Sequence, residues 1–526
     1  MRALGLGVVL FISTLALADD LNPLVTYRLA WTSDLNWMKQ VSIADFPGES
    51  MDVRLEKAQE SLGAGGGTIY FPGGVYQFKE DIRLRGNVIL MGDPPKQGDA
   101  RKDDFNPQTK FEFPKYVPNF EGDGTPNGTA FKGIRLADPA TASNCGIVNI
   151  AIDRGQVWFA EGANHTVGRN RFVAGCLIRN AAVPDPAVPD KAMGQHGWQR
   201  FPSRTRAAIA VYSAENALVA NNRIPRSGDE NFLMKGYVIE GRRDKKPFAP
   251  EEGILFDYDN RPGIVVNHTS VGGGGGAPPR GTPEMFPYGF RKGIVIRDNY
   301  VYCSGRTAIG FTGDGGICAN NVIRYTPNVV CWTVTGRHQA AGSSTNGNRA
   351  VEMRGWRWVV EGNDYEVYRN RVGGESRIYI NDGEGLMHEG HANSIVKDSR
   401  LVGNKGNSYL SIFATGGIDG LLIEGNDIRP KGPGTDVKIE SIYVVADQYS
   451  RGERHECRNV RIINNTTAGS GIRIAGEPAE NNIVKGNRNV GARGRLYNQA
   501  RAVVENNENY EVIDTPPVMR KPTVRK

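Results

Sequence analysis

The six cysteines, Cys145, Cys176, Cys303, Cys318, Cys331 and Cys457, include no Cys-x-x-Cys pair, which argues against a zinc site. Cys303, Cys318 and Cys331 are near enough in sequence for one disulfide between neighbouring turns of a repeat, the alternative being buried free thiols. No stretch beyond the N-terminus reaches the roughly 18 apolar residues of a membrane span. A long basic run is also missing. Lys and Arg number 64 against 57 Asp and Glu, a formal charge of +7, and they are interspersed, which disfavours nucleic acid as a partner. With 39% apolar and 23% charged residues, the chain can build a core and lacks the profile of a disordered or multi-span protein.

Glycine is plentiful, at 66 of 526 residues, and asparagine is abundant too. That much turn chemistry predicts many short strands joined by tight corners. Met1-Arg2, an apolar run from Leu4 to Leu17 and the end Ala16-Leu17-Ala18 before Asp19-Asp20 read as a secretory signal peptide, residues 1–18, cleaved after Ala18. The expected destination is the periplasm or the exterior. Residues 19–515 read as one domain, and 516–526 as a basic tail.

Asp52 to Leu62 has the spacing of one short amphipathic helix closed by Gly63, within a capping segment at about 40–65. The period then changes: Thr68 to Pro72, Val75 to Phe78, Ile82 to Leu84 and Val88 to Leu90 read as short strands that fit one wound coil better than a sandwich. The run GGGTIYFPGGVYQFKEDIRLRGNVILMGD, Gly65 to Asp93, resembles the opening coil of the pectate-lyase-like superfamily. That resemblance implies an all-β fold, a right-handed parallel β-helix solenoid with an N-terminal capping helix and long inter-coil loops, and a polysaccharide substrate, acidic or neutral. The superfamily's polygalacturonase series (NTD, DD, GHG, RIK) and the calcium-site and arginine signature of its pectate lyases are absent, so the resemblance carries fold and substrate class only.

The remainder of the chain joins that coil by periodicity. An Ile/Val-x-x-Asn-x-x-Val/Ile turn signature recurs at Asn299, Asn321, Asn363, Asn426, Asn465 and Asn487. Its spacing is 22 from Asn299 to Asn321, from Asn404 to Asn426 and from Asn465 to Asn487, and 20 from Asn487 to Asn507. Units of this length stack to bury their apolar faces. Asparagine suits the corners because it tolerates the left-handed conformation and its amide can bond the equivalent residue one coil away. No leucine-rich frame and no even blade length is present, which sets aside the horseshoe and the propeller. Residues 94–130, 183–206 and 242–292 have loop composition and are expected to wall a binding site.

Catalytic groups on a β-helix come from neighbouring coils, at the intervals that separate Asp314, His338, Glu352 and Asp382. The densest window is Asn381 to His391, with Asp382, Glu384, Glu389, His388 and His391 interleaved with glycines. Strand alternation sends Asp382, Glu384 and His388 to one face and Glu389 and His391 to the other. Arg337-His338, Glu352-x-Arg354 and Glu375-x-Arg377 lie upstream. His388-x-x-His391 lacks a helix and a third ligand for zinc, and no metal or other cofactor is expected for hydrolysis. Trp332, Trp356, Trp358, Tyr365, Tyr368 and Tyr379 belong to the same coils, as sugar platforms or as a core ladder. His165, His196, His268 and His455 have no comparable acidic surroundings in sequence and read as structural or solvated.

Glycoside hydrolysis needs an acid and a second carboxylate. Asp382, Glu384 and Glu389 are the candidates, with Asp314 as partner and His388 or His338 tuning a proton. Adjacent coils give a separation near 5 Å, as in retention, and a diagonal or two-coil step approaches that of inversion. A lyase would instead use a cation and a base, for which Arg337, His338, Arg354, Arg377 and His388 are available, with Ca²⁺ held by Asp and Glu oxygens. Glu352, Arg354, Arg377, His391 and Trp356 are the expected substrate contacts beside Arg337. Hydrolase precedes lyase in this reading, and a non-catalytic binding or adhesion solenoid is the alternative outside catalysis. Oligomeric state is open, a homotrimer included.

Overall fold

The structure is a computed structural model. It describes residues 21–114, 132–160, 166–181, 207–226, 263–268, 289–303, 307–325, 349–367, 395–414, 416–430, 440–446, 455–469 and 471–514, together with the backbone of the strands Phe232–Met234, Ile254–Phe256 and Glu384–His388. The expected leader at 1–18 and the expected tail at 516–526 lie outside the described residues.

The amphipathic segment forms the helix α1, Met51–Leu62, capped at its start by the Ser50 hydroxyl, which accepts from Val53 N. Its apolar side, Leu55, Ala58 and Leu62, closes the end of the core. Among the described residues the strands that follow pair in parallel, apart from Phe232–Met234, which is antiparallel to Ile254–Phe256. Gly67–Phe71, Gly74–Gln77 and Ile82–Leu84 make one coil, and Val88–Gly92 opens the next by pairing back onto the first, with Thr68 opposite Ile89. The chain is thus a right-handed parallel β-helix, the hand that parallel crossovers almost always take.

Each coil contributes a strand to three faces. In the central coils these are Lys292–Arg297, Tyr300–Tyr302 and Thr307–Asp314, then Ile317–Ala319, Val322–Arg324 and Arg349–Trp356. The second face is a sheet of 12 strands; the first and third join in one sheet of 28 at corners such as Lys292 opposite Asp314. Inward residues stack as Ile, Val, Leu and Phe in one continuous core. Residues 21–37 pack Leu24, Leu35 and Trp37 on an outward apolar stripe of the first face, Ile89, Phe172, Leu218 and Val295.

The corner between first and second faces explains the asparagine content. From Asn222 onward the chain turns there through two residues, one in the left-handed region and one buried asparagine: Asn221-Asn222, Asp298-Asn299, Asn320-Asn321, Gly362-Asn363, Gly403-Asn404, Gly425-Asn426, Asn464-Asn465 and Gly486-Asn487. Each ladder asparagine donates from Nδ2 to the Oδ1 of the next, at 2.9 Å from Asn299 to Asn321 and again from Asn363 to Asn404. The same Oδ1 accepts the backbone N–H of the preceding one, as Asn404 Oδ1 does from Asn363 N. The buried turns therefore leave no amide orphaned. Cys176 holds the ladder position one coil earlier, and its N–H donates to Asn222 Oδ1.

One expectation is corrected. The excursions at 94–130 and 242–292 contain face strands, Thr109–Glu112 and Ile264–Val266, whose few apolar residues sit between proline, glycine and charge. Of the two cysteine readings, buried thiols hold for the five described cysteines, all but Cys331, none of which is in a disulfide; burial pushes the Cys145 and Cys176 thiols up to about 12, which makes them inert.

Candidate functional site

Because the asparagine corner is fixed at two residues from Gly175-Cys176 onward, length variation in those coils falls on the other two corners, and both border the third face. Residues 182–206, 326–348 and 368–383 leave the second face and return to the third, and residues 269–288 and 447–454 leave the third for the first. In the central coils the chain re-enters the third face at Arg349 and at Glu384, directly after the segments that hold Arg337, His338, Arg377 and Asp382.

On Thr307–Asp314 and Arg349–Trp356, the residues Ile309, Phe311, Val351 and Met353 are in the core. The alternation turns Gly310, Thr312, Glu352 and Arg354 outward. Along one outward row the register is Ala210, Val265, Gly310, Glu352, Met387, Ser411, so over these six coils one carboxylate stands among small or apolar residues.

Glu352 is only 3% exposed. Its Oε2 accepts from Arg349 Nη1 at 2.7 Å and from the Thr307 hydroxyl at 3.0 Å. Its Oε1 accepts from Arg354 Nη2 at 2.9 Å and faces His268 Nε2 at 3.3 Å. Burial alone would raise this carboxyl; Arg349, His268 and Arg354 override it and hold it well below the usual range. Burial lowers His268, against the pull of Glu352, so the imidazole is neutral. With Glu352 ionised, Nε2 carries the proton. The lone pair is then on Nδ1, which meets the Thr312 hydroxyl at 3.3 Å.

Local sequence builds this arrangement. Asn267, with φ near +50°, turns the chain at the end of Ile264–Val266, and its amide brackets Ser213 through bonds to N and O. His268 then lies over Gly310, where an added Cβ would stand 3.1 Å from the ring. The Tyr212 hydroxyl donates to His268 O at 2.5 Å.

Trp356 is partly exposed, edge-on to Phe290 with centroids 5.1 Å apart, and Lys397 Nζ lies 4.0 Å from its centroid. Trp358 and Tyr365 are core residues, so the described aromatics of these coils divide between a partly exposed position and the interior; Trp332, Tyr368 and Tyr379 lie outside the described residues. Asp314, opposite Trp356 in register, pairs with Arg357. It is four residues further along the strand direction than Glu352, about 13 Å.

Arg337, His338, Arg377, Asp382, Glu389 and His391 lie outside the described residues, and Glu384 and His388 are described by backbone register alone. Glu384 is opposite Arg349, and His388 is in the row of Met353 and Ile412. The site residues that sequence reasoning missed are His268 and Arg349. His268, read as structural or solvated, acquires its acidic neighbour from another coil. Its signal was the position directly after a strand and an asparagine turn. Among the described residues no three His, Cys, Asp or Glu side chains converge as metal ligands. Glu352, both oxygens engaged by cations and hydroxyl, does not fit a calcium ligand.

No protein-family profile matches the chain, and no curated protein matches it in sequence. Solved structures do resemble it. The A-module of a mannuronan C-5 epimerase from Azotobacter vinelandii is 14% identical, covering 90% of this chain and 99% of the module, with a TM-score of 0.40. PfbA, a surface adhesin of Streptococcus pneumoniae, is 14% identical over 90% of this chain and 92% of its own, with a TM-score of 0.44. A tailspike protein of Escherichia coli bacteriophage HK620, solved with a pentasaccharide, is 12% identical over 90% and 80%, with a TM-score of 0.43.

Proposed function

We propose that this protein is an exported polysaccharide-active β-helix that takes a glycan along its third face and cleaves it at the central coils. The observation that carries this reading is the Glu352 cluster. Burying a carboxylate and two guanidinium groups costs several kcal/mol per ion before pairing recovers it. The coils on either side fill the same row with Gly310 and Met387, and those beyond with Val265 and Ser411, and form the same coil without that expense.

Two reactions are in view. Hydrolysis would use Asp382, Glu384 and Glu389, with Glu384 one coil from Arg349 in register. Elimination on a uronic-acid polymer is favoured by the described cluster. Glu352 is ionised and fully engaged, so it serves to orient its partners and not as a proton donor. Arg354 supplies a cation for a uronate carboxylate, and neutral His268 supplies a base once the Thr312 hydroxyl rotates off Nδ1. In that reaction the base takes the proton on the carbon next to the carboxylate, the bond from the adjacent carbon to the leaving sugar oxygen breaks as a carbon–carbon double bond forms, and the departing oxygen takes a proton from water while the imidazolium returns its own to solvent.

The test is a screen of the protein against neutral and uronic-acid polysaccharides, following new reducing ends and the ultraviolet absorbance of an unsaturated product, with and without EDTA. Reducing ends with absorbance support elimination, and reducing ends without it return the reaction to the carboxylates at 382–389. Glycan retention without turnover would make the protein an adhesion or binding solenoid. Neither turnover nor retention would end the carbohydrate reading.

A further inference from the structure

We infer that the third face carries a second sugar-binding position at its C-terminal coils, formed by Tyr443 and Tyr497 around Arg473; this rests on the reading of that face as a glycan groove. Register places Ser411, Tyr443, Arg473 and Tyr497 in one outward row, the row of Glu352. On Ile442–Val445 and Gly471–Ala475 the row residue is the one side chain left partly open, and on Gly494–Asn498 Tyr497 is partly open between buried Leu496 and Asn498.

The Arg473 guanidinium lies 4.4 Å from the Tyr497 ring centroid and 5.9 Å from that of Tyr443. Its Nη2 donates to Glu440 Oε1 at 2.7 Å, and Glu440 is only 5% exposed. A buried carboxylate thus fixes the cation that spaces the two rings. Arg495 Nη1 donates to the Tyr497 hydroxyl at 3.2 Å, which fixes the second ring from its rim.

A pyranose presents an apolar face of C–H groups and a rim of oxygens. Tyrosine offers the matching division of apolar ring and polar tip, and arginine adds donors for hydroxyl or carboxylate oxygens. Ser411 is small, so the row is low on the side of Tyr443 that looks toward the central coils. The connections at 469–470 and 491–493 are short, so no long insert joins the second and third faces at the coils of Arg473 and Tyr497, whereas residues 429–441 join them at the coil of Tyr443. Three coils separate the row positions of Glu352 and Tyr443, about 14 Å at 4.8 Å per coil. A disaccharide held at the central cluster falls short of Tyr443, and an octasaccharide reaches it.

The experiment is titration calorimetry of the full chain, as wild type, Tyr443→Ala, Tyr497→Ala and Tyr443→Phe, with disaccharides and octasaccharides of a uronic-acid polymer and of a neutral β-glucan. Each alanine variant is expected to bind the octasaccharide roughly tenfold more weakly with disaccharide affinity unchanged, while Tyr443→Phe keeps wild-type affinity because it keeps the ring. If wild type binds the octasaccharide and both alanine variants bind it equally well, the second position is overturned and the groove stands. A loss equal for both lengths, or restored by neither ring, overturns it as well. If wild type binds neither series, the groove reading falls with it.

Discussion

Asn404→Ala tests whether the asparagine ladder carries the stability of the coil stack. The side chain is 1% exposed. Its Oδ1 accepts from Asn363 N at 3.1 Å and Asn363 Nδ2 at 2.9 Å, and its Nδ2 donates to Val360 O and Asn426 Oδ1, each at 2.9 Å. Truncation leaves the Asn363 amide and one of its side-chain protons without acceptors and takes a donor from Val360 O. Asn426 Oδ1 keeps the N–H of residue 404. At about 1–3 kcal/mol per buried group left unmade, the expected loss is ~3–5 kcal/mol. Asn507→Ala, at the partly exposed end of the same ladder, allows water to replace the lost partners and should cost about 1 kcal/mol. Urea unfolding of both variants, followed by far-ultraviolet circular dichroism and by tryptophan fluorescence, reads the difference. The two probes also report whether terminal coils part from the stack before the centre does, as repeat proteins allow. Equal and small shifts for the two variants would refute the idea that the interior ladder bears energy.

Glu352→Gln keeps the shape of the side chain and removes the charge between Arg349 and Arg354; breaking a buried pair of this kind should cost about 3–5 kcal/mol, read as a lowered melting temperature. The same cluster predicts a stability that falls in acid in two stages. His268 titrates lower folded than its ordinary 6.5, so below that pH the unfolded chain takes up the proton first and stability declines; Glu352 is held well below the carboxylate range, so its stabilisation is complete above the unfolded value and is lost as pH falls through the folded one. Thermal melts of His268→Gln across this range should lack the first stage, and its persistence would exclude His268 as the cause. Gly406→Ala would set a Cβ 2.0 Å from the ring of Tyr365, whose hydroxyl is fixed on Ser408 O; overpacking of more than about 3 kcal/mol is expected. Gly403→Ala, at φ near +62° with no atom within 4 Å, should cost about 1 kcal/mol by backbone strain alone, and soluble yields and melting curves separate the two.

Much of the scaffold is legible in the chain because its parts are local. The capping helix shows in the spacing of Leu55, Ala58 and Leu62, the first coil in Gly67 to Gly92, and the ladder in the recurrence of asparagine after Gly, Asn or Asp. That dipeptide states both halves of the corner, a residue for the left-handed turn and an amide for the stack. The strands Thr109–Glu112 and Ile264–Val266 are illegible for the opposite reason. Three or four residues between proline, glycine and charge carry too little alternation to register as a face. Glu352 and Arg354 are apparent as a charged pair on a strand, but His268 is not, because inserts of unequal length break the arithmetic between coils. Counting from one ladder asparagine to the next restores it: Asn222 and Asn299 are 77 apart, which locates a long insert in the coil of His268 and places Ile264–Val266 at its return.

The ladder also accounts for where the groove lies. A buried asparagine that must meet its equivalent above and below tolerates no added residue, since an unmatched amide would leave buried polar groups unpaired on two coils at once. From Gly175-Cys176 onward insertions therefore fall at the two corners without such a lock, which are the two edges of the third face; the insert at the ladder's own corner, residues 93–108, precedes the ladder. On the proposed reading, the outward row between those two edges is the floor along which a glycan lies. In this chain the floor passes from Ala210 and Val265 through Glu352 to Tyr443, Arg473 and Tyr497. The rigidity of one corner thus fixes where variation, and with it recognition, can enter the molecule.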